Sequence, residues 1–522
     1  MLNTRPLPQA VLTCLRQQLS NVLGTASGGW NLLISLSRME FFVRRTLYIF
    51  ALIMALVAPQ IVPAAAPQQL LQRRDSASAT QAAGAAAPAR QQQAQLVNRV
   101  LANGLEVIVL EDHAVPLVTI ELAVKNGSYT EPPELNGLSH LYEHMFFKSN
   151  RAIANAEDYL RQIGQMGIAY NGQTQTELVN YYFTTTSPNM KTAMQFMRDS
   201  VRYPLFDAGE FEREREVVIG EIDRNESNPY FYLNREINDR LFFKYPSRKN
   251  PLGNRRTVST ATTDMMRLIQ GRFYVPNNSA LVVTGDVRPE EVFKMAQELY
   301  NDWPRTEDPF IKYPPVEHPP LPKSEGVIIK QPVQNVVIEI GWHGPSIGQD
   351  NPGTYAADVF SFILTQPNSR FQRALVDTGL VNGVGIGYLT QRNVGPITII
   401  AQTSPEKAKA ATRAIYEEIA HFNDRDYYTD EQLESAKALL EADDLYSREK
   451  LSDYAHTLSF WWASTGLDYF RGYLGNLRRT TRADISRYVT RYIQGKPHVG
   501  VALISEEAQG RAQLKPEDLI GQ

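Results

Sequence analysis

From residue 96 onward the chain alternates between short runs rich in Val, Ile and Leu and longer runs with helical period. Residues 105–110 and 117–124 read as strands, the first announced by the hairpin signal Asn103-Gly104. Residues 153–165 read as a helix, 168–176 as a polar extended stretch, and 181–186 as a strand. Residues 190–202 and 208–225 have the three-to-four spacing of helices, with Pro204 breaking them apart. A buried strand at 280–284 closes on Gly285-Asp286, and a proline-rich connector runs from Pro304 to Pro322. Beyond it the plan recurs in outline: strands at 326–330 and 336–342, a helix at 355–364, a strand at 397–402, and helices at 405–422 and 429–446. The class is mixed α and β, and two halves of similar size and element order predict an internal duplication.

Residues 1–95 follow no such pattern. Met39 opens a better leader than Met1: Arg44 and Arg45, an apolar run from Leu47 to Ala58, then Ala64-Ala65-Ala66. That is the charge, core and small-residue order of a signal peptide, over about residues 39–66. The apolar run is short for a membrane span of about 20 residues, and an uncleaved anchor is the rival reading. Either way the body is expected to be exported, to the periplasm in a Gram-negative cell. Residues 67–95, rich in Ala and Gln, read as a flexible tether. The expected division is then 1–66 upstream extension and signal, 67–95 tether, 96–303 first domain, 304–325 connector and 326–522 second domain.

Composition narrows the function classes. A chain of 522 residues is too long for one core. A net charge of −3 gives no reason to expect nucleic acid as a partner. The single cysteine, Cys14, excludes an internal disulfide framework, and leader cleavage would remove it.

The chemistry concentrates at Gly137-Leu138-Ser139-His140-Leu141-Tyr142-Glu143-His144. On a helix His140 and His144 project from one face a turn apart, able to put two nitrogens about 2 Å from one zinc ion. Glu143 beside them could take a proton from water at that ion. A further protein ligand is needed, and the acidic run at 208–225 contains Glu210, Glu212, Glu214, Glu216 and Glu221. Glu214 and Glu221, seven apart, share one side of a helix. Glu221 follows the apolar Val217-Val218-Ile219, where a carboxylate needs a metal or a charged partner. His343, His421, His456 and His498 read as ordinary surface or core residues.

These residues resemble the pitrilysin–insulinase family of zinc peptidases. Its signature is this inverted zinc motif, then about 76 residues, then a glutamate ligand; here residues 145–220 separate His144 from Glu221. The resemblance implies one Zn2+ per chain held by His140, His144 and Glu221, with Glu143 as general base and Glu214 supporting the site. Glu131-Pro132-Pro133, Pro251-Leu252-Gly253 and Gly285-Asp286-Val287 also stand where the family has them. So does the edge strand around Ala169, Tyr170, Asn171 and Gly172, which implies peptide binding there. The family implies an α+β fold: two homologous domains, each a mostly antiparallel sheet with flanking helices, closing like a clamshell around peptides or unfolded protein segments.

One segment departs from the pattern. Self-sufficient members carry an Arg and a Tyr in the second half that assist the substrate carbonyl. In the matching stretch here, residues 373–382, Val376 and Asn382 take those places, with Arg370, Arg373 or Tyr388 as possible substitutes. The resemblance therefore implies a zinc-bearing subunit whose homologous, zinc-less partner supplies the Arg–Tyr pair. A non-catalytic structural or binding subunit of the same family, or an unrelated zinc hydrolase acting on other substrates, are the competing expectations.

Overall fold

The computed structural model describes residues 96–522, so the expected leader and tether at residues 1–95 lie outside the described residues. Among the described residues no helix is long and apolar enough to cross a membrane.

Two sheets organise the described residues. The first contains β1 (Leu96–Val100), β2 (Glu106–Glu111), β3 (Leu117–Val124), β4 (Ala169–Thr174), β5 (Val179–Thr186) and β6 (Ser279–Gly285), in the order β1-β2-β6-β3-β5-β4. The second contains β7 (Glu325–Lys330), β8 (Val336–His343), β9 (Gly383–Tyr388), β10 (Pro396–Thr403) and β11 (Val499–Ile504), in the order β7-β11-β8-β10-β9. Only β2–β6 and β7–β11 are parallel; the other neighbours are antiparallel. With β1 set aside as an added edge, the two sheets have the same connectivity. The first strand lies parallel to the last, and the second, fourth and third follow. The chain is α+β with two like-ordered halves.

Most elements fall where their patterns put them. The strand at 117–124 and the helix at 190–202 agree to the residue. The helix expected from 153 begins at Ala156, because Asn155 caps it by accepting from the Asp158 N–H at 2.8 Å. The polar stretch at 168–176 divides into β4 and the turn leading to β5.

What the pattern does not predict is how the sheets are covered. Helices of the first half cover one face of the first sheet, with Leu138, Leu141, Tyr142 and Met194 packed on Val118, Ile120 and Leu122. The opposite face is covered by a helix from the second half. Leu451–Ser464 lays Tyr454, Leu458 and Trp462 against Ile108, Ala123, Ala280 and Val282. The exchange is reciprocal: Pro229–Leu241 of the first half lays Leu233, Ile237 and Leu241 on Val337, Val499, Val501 and Leu503 of the second sheet. The approach is close, since a Cβ at Gly341 would sit 2.8 Å from Leu241 Cδ1. Burial on both faces explains why β6 is buried at every position instead of alternating. At this crossing Glu121, fully buried, accepts from Asn180 Nδ2 and pairs with His456 Nδ1, both at 2.5 Å.

Candidate metal centre

The motif helix, Leu138–Phe146, starts at Gly137 in the left-handed conformation (φ 94°), with no side-chain cap of its own. Its first N–H groups are met from outside. The buried Glu131 carboxylate accepts from Gly137 N at 2.8 Å and Ser139 N at 2.6 Å. Burial pushes the Glu131 carboxyl above its usual range, against the pull of these hydrogen bonds. Gly253 (φ 81°) lies against Gly137 so tightly that a Cβ on Gly137 would come 2.7 Å from Gly253 Cα. The helix is thus seated by a buried carboxylate and a glycine–glycine contact.

The acidic helix, Ala208–Glu226, is anchored by Phe211, Val218 and Ile222. Val217, expected to pack inward, is 46% exposed, and the inward row is Val218, Ile222 and the carboxylates beside them. That row carries Glu214 and Glu221 to the motif helix. His140 Nε2 lies 3.4 Å and His144 Nε2 3.8 Å from Glu221 Oε2. The imidazole rings stand 5.0 Å apart and nearly perpendicular, at 78°. One donor atom from each of the three residues lies within 4.8 Å of the other two, and among the described residues no other group of three or more His, Cys, Asp or Glu does this.

The donor set fits zinc. Ligands about 2.0–2.1 Å from a tetrahedral ion stand about 3.3 Å from one another, close to the two histidine–glutamate separations. His144 Nδ1 is 3.1 Å from Glu214 Oε2, and Lys148 Nζ is 2.6 Å from Glu214 Oε1. That carboxylate holds the proton on Nδ1 and leaves the Nε2 lone pair directed at the site. His140 Nδ1 is buried without a hydrogen-bond partner, so an ion at Nε2 would fix which nitrogen carries the proton. Burial works to lower the His140 pKa, but the Glu221 hydrogen bond and the charges of Glu143, Glu221 and Glu131 outweigh it, and the net shift is upward. Burial raises Glu221 and Glu214, yet their histidine neighbours, and Lys148 for Glu214, bring both below the usual carboxylate range. The pocket favours a cation.

Glu143 points beside this set to the open edge of the first sheet. Thr174 Oγ1 donates to Glu143 Oε2 at 2.8 Å. Beneath it lies Gly172, where a Cβ would meet Glu143 Cγ at 2.7 Å and both Glu143 Oε1 and Phe147 Cε2 at 3.0 Å. Among the described residues β4 pairs with β5 alone, and its far edge has no strand neighbour. Of the residues expected to bind peptide, Ala169 is exposed, Tyr170 half-buried with its ring 5.1 Å from Phe147, and Asn171 and Gly172 buried. Sequence reasoning missed the bond from Thr174 to Glu143, the Lys148–Glu214 pair and the capping role of Glu131. An acid six residues before a glycine-initiated helix is a cue for the last of these.

The second half offers little to this centre. Arg370 pairs with Glu418 at 3.2 Å and lies over the Tyr427 ring, and the buried Tyr388 donates to Pro345 O at 2.8 Å. Arg373 is exposed at the start of a π-helical turn, Arg373–Asp377; Val376 in that turn is half-buried, and Asn382 is exposed. None of the second-half histidines joins a metal-type group: His343 bonds Leu241 O, His421 pairs with Asp424, His456 with Glu121, and His498 contacts Tyr416.

The chain is similar to known peptidases in sequence and in fold. The insulinase description (peptidase family M16) matches residues 106–253, and that of the peptidase M16 inactive domain matches residues 260–440. An uncharacterized zinc protease of Rickettsia felis is 25% identical over 355 residues, covering 67% of this chain and 84% of its own. The zinc protease PqqE of Helicobacter pylori is 22% identical over 364 residues, covering 68% and 80%. Among solved structures, a protease from Helicobacter pylori superposes with a TM-score of 0.69 at 20% identity, over 78% of this chain and 99% of its own. Pitrilysin superposes with a TM-score of 0.68 at 17% identity, over 79% and 45%. Two adjoining matches that leave out little between residues 106 and 440, and the same two-domain fold, make this chain a member of the insulinase (pitrilysin) family of peptidases, M16.

Proposed function

We propose that this protein is a zinc-dependent endopeptidase acting on extended peptides or unfolded protein segments, as the metal-bearing subunit of a pair with a homologous chain. The observation that carries the reading is the meeting of His140 Nε2, His144 Nε2 and Glu221 Oε2, with Glu143 between them and an open strand edge. Bound there, zinc would act as a Lewis acid on the scissile carbonyl and on water. Glu143, steadied by Thr174, takes the proton of the attacking water and returns it to the leaving amine. The edge of β4 away from β5, unpaired among the described residues, offers main-chain N–H and C=O groups to an extended peptide, which fixes its direction past Glu143.

Pairing follows from what this chain lacks. Val376 and Asn382 stand where the family has its carbonyl-assisting Arg and Tyr, and Arg370 and Tyr388 are engaged within their own half. On this reading a second subunit, and not the exposed Arg373, is the source of that pair. The inactive-domain description, residues 260–440, begins late in the first half and covers much of the half without the histidine pair. The same proposal takes the protein as exported, on the strength of the signal-like residues 39–66.

The test is peptide cleavage by the chain co-purified with its homologous partner, with and without a chelator, beside the chain alone. Glu143→Gln is expected to keep its zinc and lose about 10²- to 10⁴-fold in kcat. Normal cleavage by that variant would refute the base assignment, and robust turnover by the isolated monomer would refute the pairing.

A further inference from the structure

The halves meet through one loop as well as through their exchanged helices. The connection between β9 and β10, residues 389–395, crosses to the first half and is gripped there by two buried charges. Lys249, 8% exposed, donates from Nζ to Gln391 Oε1 and Asn393 O at 2.5 Å and to Val394 O at 2.9 Å. Glu177, 4% exposed, accepts the backbone N–H groups of Arg392 and Asn393, each at 2.9 Å. Burial lowers the Lys249 ammonium to about 8, and the charge of Glu177 opposes that drop. Lone charges in such places would be costly.

Each anchor lies a few residues from the metal centre. Lys249 precedes Asn250, whose carbonyl accepts from Asn136 Nδ2 at 3.0 Å, and the same turn brings Gly253 against Gly137. Asn136 Nδ2 also reaches the Glu131 carboxylate, at 3.4 Å, and Glu131 caps the motif helix. On the other side, Glu177 sits in the turn between β4 and β5. Tyr129 N donates to Thr176 O there at 3.0 Å, and Thr174, three residues earlier, holds Glu143. One loop of the half without the histidine pair thus braces both the start of the motif helix and the strand beneath its base.

We infer that residues 391–394 are a strut through which the second half sets the geometry of the metal centre, with Lys249 and Glu177 as positioning residues. The inference rests on the peptidase reading above. Its physical basis is the motif helix itself, nine residues long and without a side-chain cap of its own. Such a short helix takes its orientation from what holds its ends.

The rival is that these contacts only join the halves. The Glu121–His456 pair separates the two ideas, because it also joins them but on the face of the first sheet away from the motif helix. Lys249→Met and Glu177→Gln are expected to lower kcat by about 10- to 100-fold, as misplacement on the order of 1 Å does. KM should stay within about twofold, which marks a loss confined to the transition state. Zinc affinity, read by competition with a chromophoric chelator, should weaken by about 10-fold, as when second-shell support is lost. Amide exchange across residues 138–146 should quicken, and Lys249→Arg, which keeps the donors, should recover part of each loss. His456→Asn should lower Tm without moving kcat, zinc affinity or that exchange. Should Lys249→Met fail to fold, Gln391→Ala, which removes one acceptor only, gives the same readouts. Strut variants that lose Tm as His456→Asn does, yet keep kcat, zinc affinity and exchange, would overturn the inference. If the zinc-loaded parent with its partner cleaves no peptide, the peptidase reading fails instead, while zinc affinity and exchange still decide the strut.

Discussion

Gly172→Ala adds one carbon where the structure has no room for it. The new Cβ would stand 2.7 Å from Glu143 Cγ and 3.0 Å from both Glu143 Oε1 and Phe147 Cε2. Carbon atoms sit comfortably at about 3.5–4.0 Å, so something must move by about 1 Å. Gly172 does not have a positive φ, so its backbone accepts alanine without strain. Replacing glycine in a strand recovers about 0.5–1 kcal/mol of chain entropy. Overpacking costs about 1–3 kcal/mol, which leaves a net stability loss of at most about 2.5 kcal/mol. Activity should suffer more. Glu143 is the group pressed aside, and a displacement of about 1 Å in a reacting group costs about 100-fold, or about 2.7 kcal/mol in the barrier. None of the three atoms nearest the new carbon belongs to His140, His144 or Glu221. The expected result is a folded, zinc-replete variant with kcat down about 100-fold, measured on a quenched-fluorescence peptide beside zinc content and a thermal melt. If kcat stays within about threefold of the parent with zinc intact, the placement of Glu143 over Gly172 does not limit the reaction, and the reasoning fails.

Two further outcomes follow from individual contacts. Glu214→Gln removes the charge that holds His144 Nδ1 and Lys148, so zinc affinity should fall by about 10- to 100-fold and activity should return with excess zinc; unchanged affinity would mean that Glu214 does not orient His144. Glu339 on β8 is buried with no hydrogen-bond partner for its carboxyl among the described residues, and burial pushes it up to about 8 from 4.5. With the folded value raised, its stabilising contribution is whole below about pH 4.5 and drains away as pH rises through about 8. Glu339→Gln should therefore gain stability relative to the parent between those limits, read by denaturant titration at several pH values, and an unchanged pH slope would refute the burial argument.

Much of the site was legible because its chemistry is local. The four-residue spacing of His140 and His144 sets a shared helix face whatever the surroundings, and Glu214 and Glu221 share a side by the same rule. Elements whose partners lie in their own half were legible too, such as the strand at 117–124 and the helix at 190–202. The exchanged helices were not. Pro229–Leu241 and Leu451–Ser464 each lie on a sheet of the other half, so their apolar rows answer to residues roughly a hundred positions away or more. Leu451–Ser464 is buried at nine of its fourteen positions, which blurs the one-faced pattern that identifies a surface helix. β9, reading Gly-Val-Gly-Ile-Gly-Tyr, has glycine at alternate positions and so no strand signature of its own; β10 supplies its pairing. The Lys249 and Glu177 contacts were hidden for the same reason, since neither residue differs in sequence from a surface charge.

The exchange also bears on whether the metal-bearing half can stand alone. The acidic helix ends at Glu226, one turn past Glu221, and after Ser227 and the cap Asn228 the chain enters Pro229–Leu241, which lies on the second sheet. Docking of that helix therefore sets the far end of the helix that carries Glu221, while residues 391–394 brace the motif helix. Residues 96–303 expressed alone would expose Leu233, Ile237 and Leu241, and would uncover Ile108, Ala123, Ala280 and Val282. At about 1.5–3 kcal/mol for each large side chain, losing that burial removes on the order of 10 kcal/mol, as much as a domain's whole stability. The fragment is expected to lack a cooperative melt and to bind zinc weakly, and both properties should return when residues 304–522 are supplied as a separate chain. A fragment that melts cooperatively and holds zinc at the parent's affinity would show that the second half contributes nothing to the centre, and would count against the strut as well.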